Sequence, residues 1–546
     1  MRFEYTYSGT SSVFSRPDST EMSFSPDVRR EPTYFEGRLR KGIEFREAIS
    51  ALHDVVVSDL RFRPKDREEY KAWAAQKEQE ELLEILAQRD RVKRQAEAIQ
   101  NELYGLNLAI QKHMAPYYKA QGKYFRHLYL RDRDAWFVLD PVITVHPDQI
   151  FFECFSQDES TYGRLAASYE EFDDIGEFAC GTTNIDYSAA LYDEFQKIRT
   201  YKATRFHVAA EGFEVRTEGE DDYREVKIDL PDSWVRGFLQ VSSAMTLPAV
   251  SFDLHPMDLF NLCFVLRSRR ETHGPRSLRY VLQPGQPVKV IFEPWNHEVL
   301  CPRSIFEGNE ATEVRVWGRR RLHVMERLIP VAHKIRVHLL GTGMPSFYVV
   351  DLGRMSFTLG LSGWTANDWS RAGNFDLMAP RAEVDSATSQ KVFEELKESW
   401  FETPDVLARK LRLDPSVVLG ALGVFSQAGR VIYDLERGVY RARELSREPL
   451  PMDQLRFSNP REESANVLVA TRQVHVEREH VDGLGHLHLK GRVHADGRRH
   501  QTSLRVDEDQ RLKQAECSCH WHFKNKLYKG PCEHILALRM MAARHS

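Results

Sequence analysis

Near the C-terminus, Cys517 and Cys519 are followed, after twelve intervening residues, by Cys532 and His534. Cys-x-Cys, twelve residues, Cys-x-His supplies three thiolates and one imidazole, the donor set of a closed tetrahedral structural zinc site. On a strand, residues i and i+2 point to one face, so Cys517 and Cys519 are expected to grip an ion from one side. Behind Gly530-Pro531, the run 532–544 is rich in Leu, Ala, Met and Arg at helical spacing. That predicts a helix with His534 in its first turn, facing the ion beside Cys532. A zinc held by four protein ligands keeps no open position for substrate or water, which argues for a scaffold rather than a catalyst.

Cys-x-Cys…Cys-x-His, followed by the apolar helix that begins Cys532-Glu533-His534-Ile535-Leu536-Ala537-Leu538-Arg539, resembles the SWIM zinc finger. The whole chain is similar to bacterial proteins that carry this finger at their C-terminus. The resemblance implies a finger that binds nucleic acid or protein. It also implies protein partners, a MoxR-type AAA ATPase and a von Willebrand A-domain protein, since some bacterial members are encoded beside these. His520 and His522 are close enough to compete as ligands, and Cys532 with His534 is preferred because that pair completes the pattern.

At 546 residues the chain has room for roughly three or four domains. Hydrophobic residues make up 42%, enough for several cores, and 29% are charged. A net charge of -4 argues against wholesale coating of nucleic acid and permits only a local basic patch. Of seven cysteines, Cys154, Cys180, Cys263 and Cys301 lie outside the finger without motif spacing and are expected as buried free thiols. That usage suits a reducing cytoplasm. Residues 1–24 contain no apolar signal core, and the longest apolar runs, such as 259–266, fall far short of a membrane span. The expected location is cytoplasmic, without a membrane partner.

The elements that must position the cluster read as an α+β, multidomain chain. Residues 1–30 are expected as a flexible lead, and 31–204 as an α/β region in which Val55-Val56-Val57 favours a strand. Within it, 66–114 forms a long helix whose Leu82, Ile85, Arg89, Val92, Ala96, Ile99, Leu103, Leu106 and Ile110 fall at steps of three and four. That heptad seam predicts either a hairpin packed on its own domain or a homodimer through 82–110. Residues 205–385 read as a β-rich centre, where Arg319-Arg320-Arg321 is expected as a solvated turn rather than an anion patch. Trp364 and Trp369 are expected as core packing beneath a loop rather than a recognition surface.

Residues 386–447 show three helices and a hairpin, a winged-helix pattern, with Asp414 and Pro415 opening the third helix. That helix offers Val417, Val418, Leu419, Val424 and Phe425 where a base reader would carry Arg, Asn, Gln or Lys, which favours a structural or protein-docking role. A connection, 448–463, leads into a zinc module at 461–546 with its core at 505–545. Strands are expected at 467–477, 485–494 and 501–506, with hairpin turns at Asp482-Gly483 and Asp496-Gly497. In the second strand His486, His488, Lys490, Arg492 and His494 share one face, and the finger loop interleaves Trp521, Phe523 and Tyr528 with Lys524, Lys526 and Lys529. Lysines can meet phosphates while aromatics stack on bases. The competing reading is an ordinary exposed strand face beside aromatics that cover the zinc. A second metal site at His486 and His488 lacks a partner at fixed spacing.

No phosphate-binding Gly-rich loop, metalloprotease helix or nucleophile elbow is present in the sequence. The expectation is a non-enzymatic, zinc-binding regulatory protein whose finger binds DNA or RNA through His488, Lys490, Arg492, Trp521, Lys524, Lys526 and Lys529. The alternative is a protein-interaction adaptor. Stress response, conflict and developmental control all remain open as the cellular process.

Overall fold

The computed structural model describes residues 12–15, 19–24, 33–58, 141–184, 195–196, 198–199, 203–208, 232–271, 273–363, 384–445, 460–483, 485–495, 497–509, 511–527 and 530–543. The expected heptad seam at 82–110, Trp364, Trp369, Tyr528 and Lys529 lie outside these residues.

β1 (Ser12–Ser15) and β2 (Ser19–Phe24) pair as a hairpin inside the stretch expected as a flexible lead. The other neighbour of β2, in parallel, is the distant segment Ala203–Val208. Backbone pairing of this kind needs no apolar composition, so a Ser-rich lead gave no sign of it. β3 (Phe35–Leu39) joins the same sheet on the far side of Ala203–Val208. In α1 (Gly42–Val57), Phe45, Ala48, Ile49, Leu52, Val55 and Val56 recur at helical spacing and are buried. The Val55-Val56-Val57 run, expected as a strand, is therefore the last turn of a helix. Helix propensity disfavours valine by less than about 1 kcal/mol. Burying a valine side chain contributes about 1.5 kcal/mol or more, and packing wins.

β4 (Val142–Val145), β5 (Gln149–Phe155), β6 (Thr161–Ser168), β7 (Phe172–Asp173), β8 (Gly181–Asn184) and β9 (Ala203–Val208) follow. Next come α2 (Asp232–Ala244), β10 (Val250–Leu254) and α3 (Pro256–Ser268), two helices inside the region expected to be β-rich. β11 (Leu278–Leu282), β12 (Pro287–Phe292), β13 (His297–Ile305) and β14 (Thr312–Val316) make a four-stranded sheet in the order β13-β12-β11-β14. β15 (Lys334–Leu339), β16 (Ser346–Asp351) and β17 (Met355–Leu361) complete an antiparallel sheet of eight, ordered β10-β15-β16-β17-β6-β5-β4-β8.

That sheet draws strands from both sides of the boundary expected at 204/205. β17 pairs with β6 from Met355↔Ala167 to Leu361↔Thr161, a long-range register that no local pattern announces. Neighbouring residues of a strand face opposite ways. A Cβ at Gly163 of β6 would lie 3.2 Å from Val55 of α1. Phe155 and Tyr162 instead pack on Phe238 of α2, at ring distances of 4.8 and 6.4 Å. Both faces of the central strands are thus covered, and the fold is α+β.

Arg319-Arg320-Arg321 opens a 3-10 helix, Arg319–Leu328. Arg319 and Arg321 are buried, so neither a solvated turn nor an anion patch is formed. Glu271 holds Arg320 at 2.6 Å and Asp158 meets Arg321 at 3.6 Å, carboxylates brought in from distant segments. Of the expected free thiols outside the finger, Cys154, Cys263 and Cys301 are buried and Cys180 is half-buried.

α4 (Ser386–Ser399), β18 (Phe401–Glu402), α5 (Pro404–Leu411), α6 (Pro415–Gln427), β19 (Val431–Asp434) and β20 (Val439–Ala442) follow, with a core of their own around Val392, Leu407, Val418 and Leu422. Side chains of Asp385, Thr403 and Asp414 cap the three helices. The β19–β20 hairpin is fixed to the large sheet by buried charge: Arg441 bonds Asp434 at 2.7 Å and Asp148 at 2.9 Å. Arg164 reaches the same Asp434 at 3.2 Å.

The last part comprises α7 (Pro460–Ala470), β21 (Val474–Val481), β22 (Leu487–Ala495), β23 (Arg498–Val506), β24 (Leu512–Cys517), α8 (His520–Asn525) and α9 (Glu533–Ala543). The strand expected to begin at residue 467 is shorter, because 460–470 is helical. Pro460 at the start, with Glu462 and Glu463 in the first turn, is a helix-opening signal that lay inside the expected connection. A separate core joins α7, α9 and the sheet through Val469, Val474, Leu489, Val493, Leu504, Ile535 and Leu538. Asp509, in the turn after β23, is buried against the four-stranded sheet and accepts hydrogen bonds from the Arg276 backbone at 2.6 Å and the Trp317 indole at 3.2 Å. No helix among the described residues is long and apolar enough to cross a membrane.

Candidate metal centre

Four strands in the order β21-β22-β23-β24 carry α9 on their inner face. The close approach depends on Gly491 of β22. A Cβ there would sit 2.5 Å from the His475 carbonyl oxygen and 2.7 Å from Leu538 of α9. β24 ends at Cys517, and the chain then leaves the sheet. Cys519 is not on the strand, as expected, but at the N-cap of α8, still extended at φ -77 and ψ 156. Its sulfur accepts from the His522 amide at 3.4 Å. Gly530, at φ +83, turns the chain back so that Cys532 precedes α9 and His534 lies in its first turn.

These two turns bring the donor atoms of Cys517, Cys519, Cys532 and His534 within 4.8 Å of one another. A tetrahedral zinc with Zn–S of about 2.3 Å spaces its sulfurs by roughly 3.8 Å, so small movements close this cluster on an ion. Cys519, Cys532 and His534 are buried, and Cys517 is half-buried. Neither ring nitrogen of His534 makes a well-formed hydrogen bond, although Nδ1 lies 3.4 Å from the Glu533 carboxylate. An unsatisfied buried polar group costs about 1–3 kcal/mol, and coordination removes that cost. His522 is buried too but stays outside the cluster, while His520 is exposed.

The thiols compete for protons. A hydrogen bond from Cys532 lowers the pKa of the Cys517 thiol, helped by the nearby His534 ring and Thr502. The same bond, with burial, pushes Cys532 up, and burial raises Cys519. Zinc ends the contest, because a coordinating thiol is deprotonated outright. The Thr502 hydroxyl, 3.5 Å from the Cys517 sulfur, is placed to support that ligand from outside the donor set.

The outer face of the same sheet carries the expected basic stripe. Leu489 and Val493 point inward, while Lys490 and Arg492 are exposed. The Arg492 guanidinium is, however, paired with Glu477. His488 bonds Asp482 at 2.8 Å, and His486 lies 3.3 Å from the same carboxylate, so these two rings share an aspartate. In the finger loop Lys524 and Lys526 are exposed, and Phe523 is 77% exposed. Trp521 is half-buried, with Arg461 stacked 4.3 Å above it, and covers the module core. Arg478 and Arg505, absent from the sequence expectation, flank β22 on the outer face. Only register reveals them, through Arg478↔Lys490 and Arg505↔His488.

No curated protein matches the chain. Among solved structures, the crystal structure of proliferating cellular nuclear antigen from Entamoeba histolytica aligns with 41% of this chain and 89% of that chain. The identity is 11% and the TM-score 0.29, a likeness too loose to carry any argument. The model of the SWIM zinc finger family matches residues 500–538, which contain all four clustered donors. The C-terminal part of this chain is a SWIM zinc finger, built to hold a structural zinc.

Proposed function

We propose that this chain is a non-enzymatic regulatory protein of the cytoplasm whose zinc, held by Cys517, Cys519, Cys532 and His534, folds a module that binds DNA or RNA. The observation that carries the reading is Lys490, exposed on the outer sheet face opposite Arg478, with no ion pair to a described residue. Lys524, Lys526 and Phe523 extend the basic and aromatic character to the finger loop. Phosphate contacts supply affinity that falls with salt, and exposed rings add stacking.

Fluorescence anisotropy of the full-length, zinc-loaded protein against single- and double-stranded DNA and RNA tests this. Binding should weaken steeply with salt and be lost when Lys490, Lys524 and Lys526 are all changed to Gln. No binding at low salt, with zinc bound, removes the reading.

A second reading is a protein adaptor working with a MoxR-type ATPase and a von Willebrand A-domain protein. Its support is α6, which turns Leu419 and Val424 to solvent, together with the burial of the β19–β20 hairpin on the large sheet. Co-elution with such partners, lost in a Leu419→Asp, Val424→Asp variant and kept in Lys490→Gln, would favour it. Self-association through 82–110 belongs to the same reading. An oligomeric state that sedimentation shows to be unchanged on deletion of 66–114 would remove the homodimer.

A further inference from the structure

A concavity of about 290 Å³ lies on the outer face of the β21–β24 sheet. Arg478, His480, His488, Lys490, Arg505 and Glu516 line it, with Ser503 and Gln514 between them. Three strands contribute basic side chains in adjacent rows: Arg478 lies directly opposite Lys490, a pair of like charges, and Arg505 directly opposite the His488 ring. Like charges directly opposite one another destabilise a sheet. One row away the sheet neutralises such a charge, pairing Arg492 with Glu477. In the concavity His488 has Asp482, but the arginines and Lys490 have no such partner. Arg478, Lys490 and Arg505 have no ion pair or hydrogen bond among the described residues, and the Arg505 Nε is buried without a partner. Glu516 is the one carboxylate among the lining residues.

Beside these cations His480 stacks on His488, with ring centroids 4.7 Å apart and planes at 17°. His480 is exposed, so its outer ring face is open. An arginine fork matches a phosphate bidentately. A flat imidazole next to it accepts a base only where that base is unstacked, as in a single strand.

We infer that this concavity is a phosphate-binding site for one nucleotide unit of a single-stranded nucleic acid. Arg478, Lys490 and Arg505 hold the phosphodiester and His480 takes the base. The inference rests on the proposed function and narrows it: the sheet face, rather than the zinc loop, selects single strands.

The test uses the full-length, zinc-loaded protein with a labelled single-stranded oligonucleotide and its duplex, and Arg478→Gln, Arg505→Gln and His480→Ala variants. Arg498→Gln, exposed at the tip of the β22–β23 hairpin, is the control. Zinc content and melting temperature report folding, and neither should fall in the arginine variants, since Arg478→Gln relieves the repulsion of Lys490 and Arg505 has no ion pair or hydrogen bond among the described residues to lose. Each arginine variant should weaken single-strand binding about tenfold and reduce the slope of log K against log salt by about 0.7, the value for one lost phosphate contact. His480→Ala should weaken the single strand about fivefold and leave the duplex and the salt slope unchanged.

Equal losses for both strand forms, or no loss while Lys524→Gln and Lys526→Gln still weaken binding, overturn the site and leave the nucleic-acid reading standing. Inorganic phosphate and a nucleoside monophosphate form a separate arm. If they bind, lose affinity in the same variants, and nucleic acid never binds, the single-strand assignment fails together with the proposed function, and free phosphate is the ligand.

Discussion

Metal-ligating side chains gather twice among the described residues, once as three cysteines and a histidine and once as cysteine, histidine and carboxylate, and the two clusters differ in what their donors already hold. At the C-terminal cluster neither ring nitrogen of His534 makes a well-formed hydrogen bond, its Nδ1 lying 3.4 Å from the Glu533 carboxylate, and the thiols have mainly one another for partners. At Cys263, His323 and Glu326, the donors are equally close, within 4.8 Å. There His323 Nδ1 lies 2.8 Å from Glu326 Oε1, and Arg267 holds the other carboxylate oxygen at 3.0 Å. The Cys263 thiol points at the Leu322 carbonyl, and burial raises its pKa well above the ordinary value. Proximity of ligand types is therefore common to both, and unsatisfied valence belongs to one. A cluster whose groups satisfy one another has little to gain from an ion.

The largest expected effect breaks or upholds that contrast. Cys532→Ser should reduce zinc from one per chain to none and unfold the module, since structural zinc sites carry about 10–16 kcal/mol of folding free energy. The main core, built from other residues, should retain its melting transition. Cys263→Ala should leave the zinc count at one. Metal analysis of the purified proteins decides. Two zincs in the parent and one in Cys263→Ala would show that the saturated cluster binds metal after all.

A fully buried ring elsewhere sharpens the same point through pH. His146 is fully buried, its Nε2 lies 2.6 Å from the Ala442 carbonyl, and its pKa is lowered to about 3 by burial and by Arg441, with Arg164 adding to the effect. Asp148, which faces it, opposes the shift. Protonation is thus disfavoured in the folded state, while the unfolded chain takes up the proton near the ordinary histidine value. Stability is full above that value and falls as pH drops toward 3, by about 1.4 kcal/mol per pH unit. Asp434 adds its loss lower still. Burial alone would raise it, but Arg164 and Arg441 outweigh burial and hold it below the carboxylate range. Urea unfolding at stepped pH should show a shallower acid limb in His146→Gln between pH 6 and 4, whatever that variant loses at neutral pH. Equal slopes would mean that His146 is accessible to protons in the folded state.

What could be read from the sequence follows how local each interaction is. The zinc donors sit within eighteen residues of one another, and the turn at Gly530 and the helix behind Cys532 bear local signals, so type and spacing were sufficient. Asp414 before Pro415 likewise marks the start of α6 through a cap that spans two residues. The unread features all depend on distant partners. Val55 and Val56 become helical because the sheet buries them, β2 is a strand because Ala203–Val208 lies beside it, and Arg319 and Arg321 are buried because Glu271 and Asp158 come to meet them. Arg478 and Arg505 join Lys490 only once the register of three strands is known.

Gly491 links the sheet to the ligand geometry and gives a smaller effect. Gly491→Ala places a methyl against the His475 carbonyl and Leu538, and either α9 or β21 must shift. Overpacking of this kind costs about 1–3 kcal/mol, and the shift moves His534 with its helix. Release of zinc to a colorimetric chelator should be about tenfold faster than in the parent, with the metal count in the purified protein unchanged. An unchanged release rate would mean that the loop around Gly530 holds His534 independently of the sheet.

The smallest effect is expected at the saturated cluster. Glu326→Gln removes the charge that pairs with Arg267, a side chain 48% exposed, so the ion pair contributes no more than about 1 kcal/mol. The amide oxygen can still accept from Arg267 while its NH2 donates to the His323 ring nitrogen, and zinc content should not move. Melting should fall by a few degrees at most, while the zinc-dependent transition of the finger stays where it was. If Glu326→Gln instead gained metal, the carboxylate's bonds to Arg267 and His323 would be what keeps an ion out. The contrast would then turn on the strength of those bonds rather than on which donors are present.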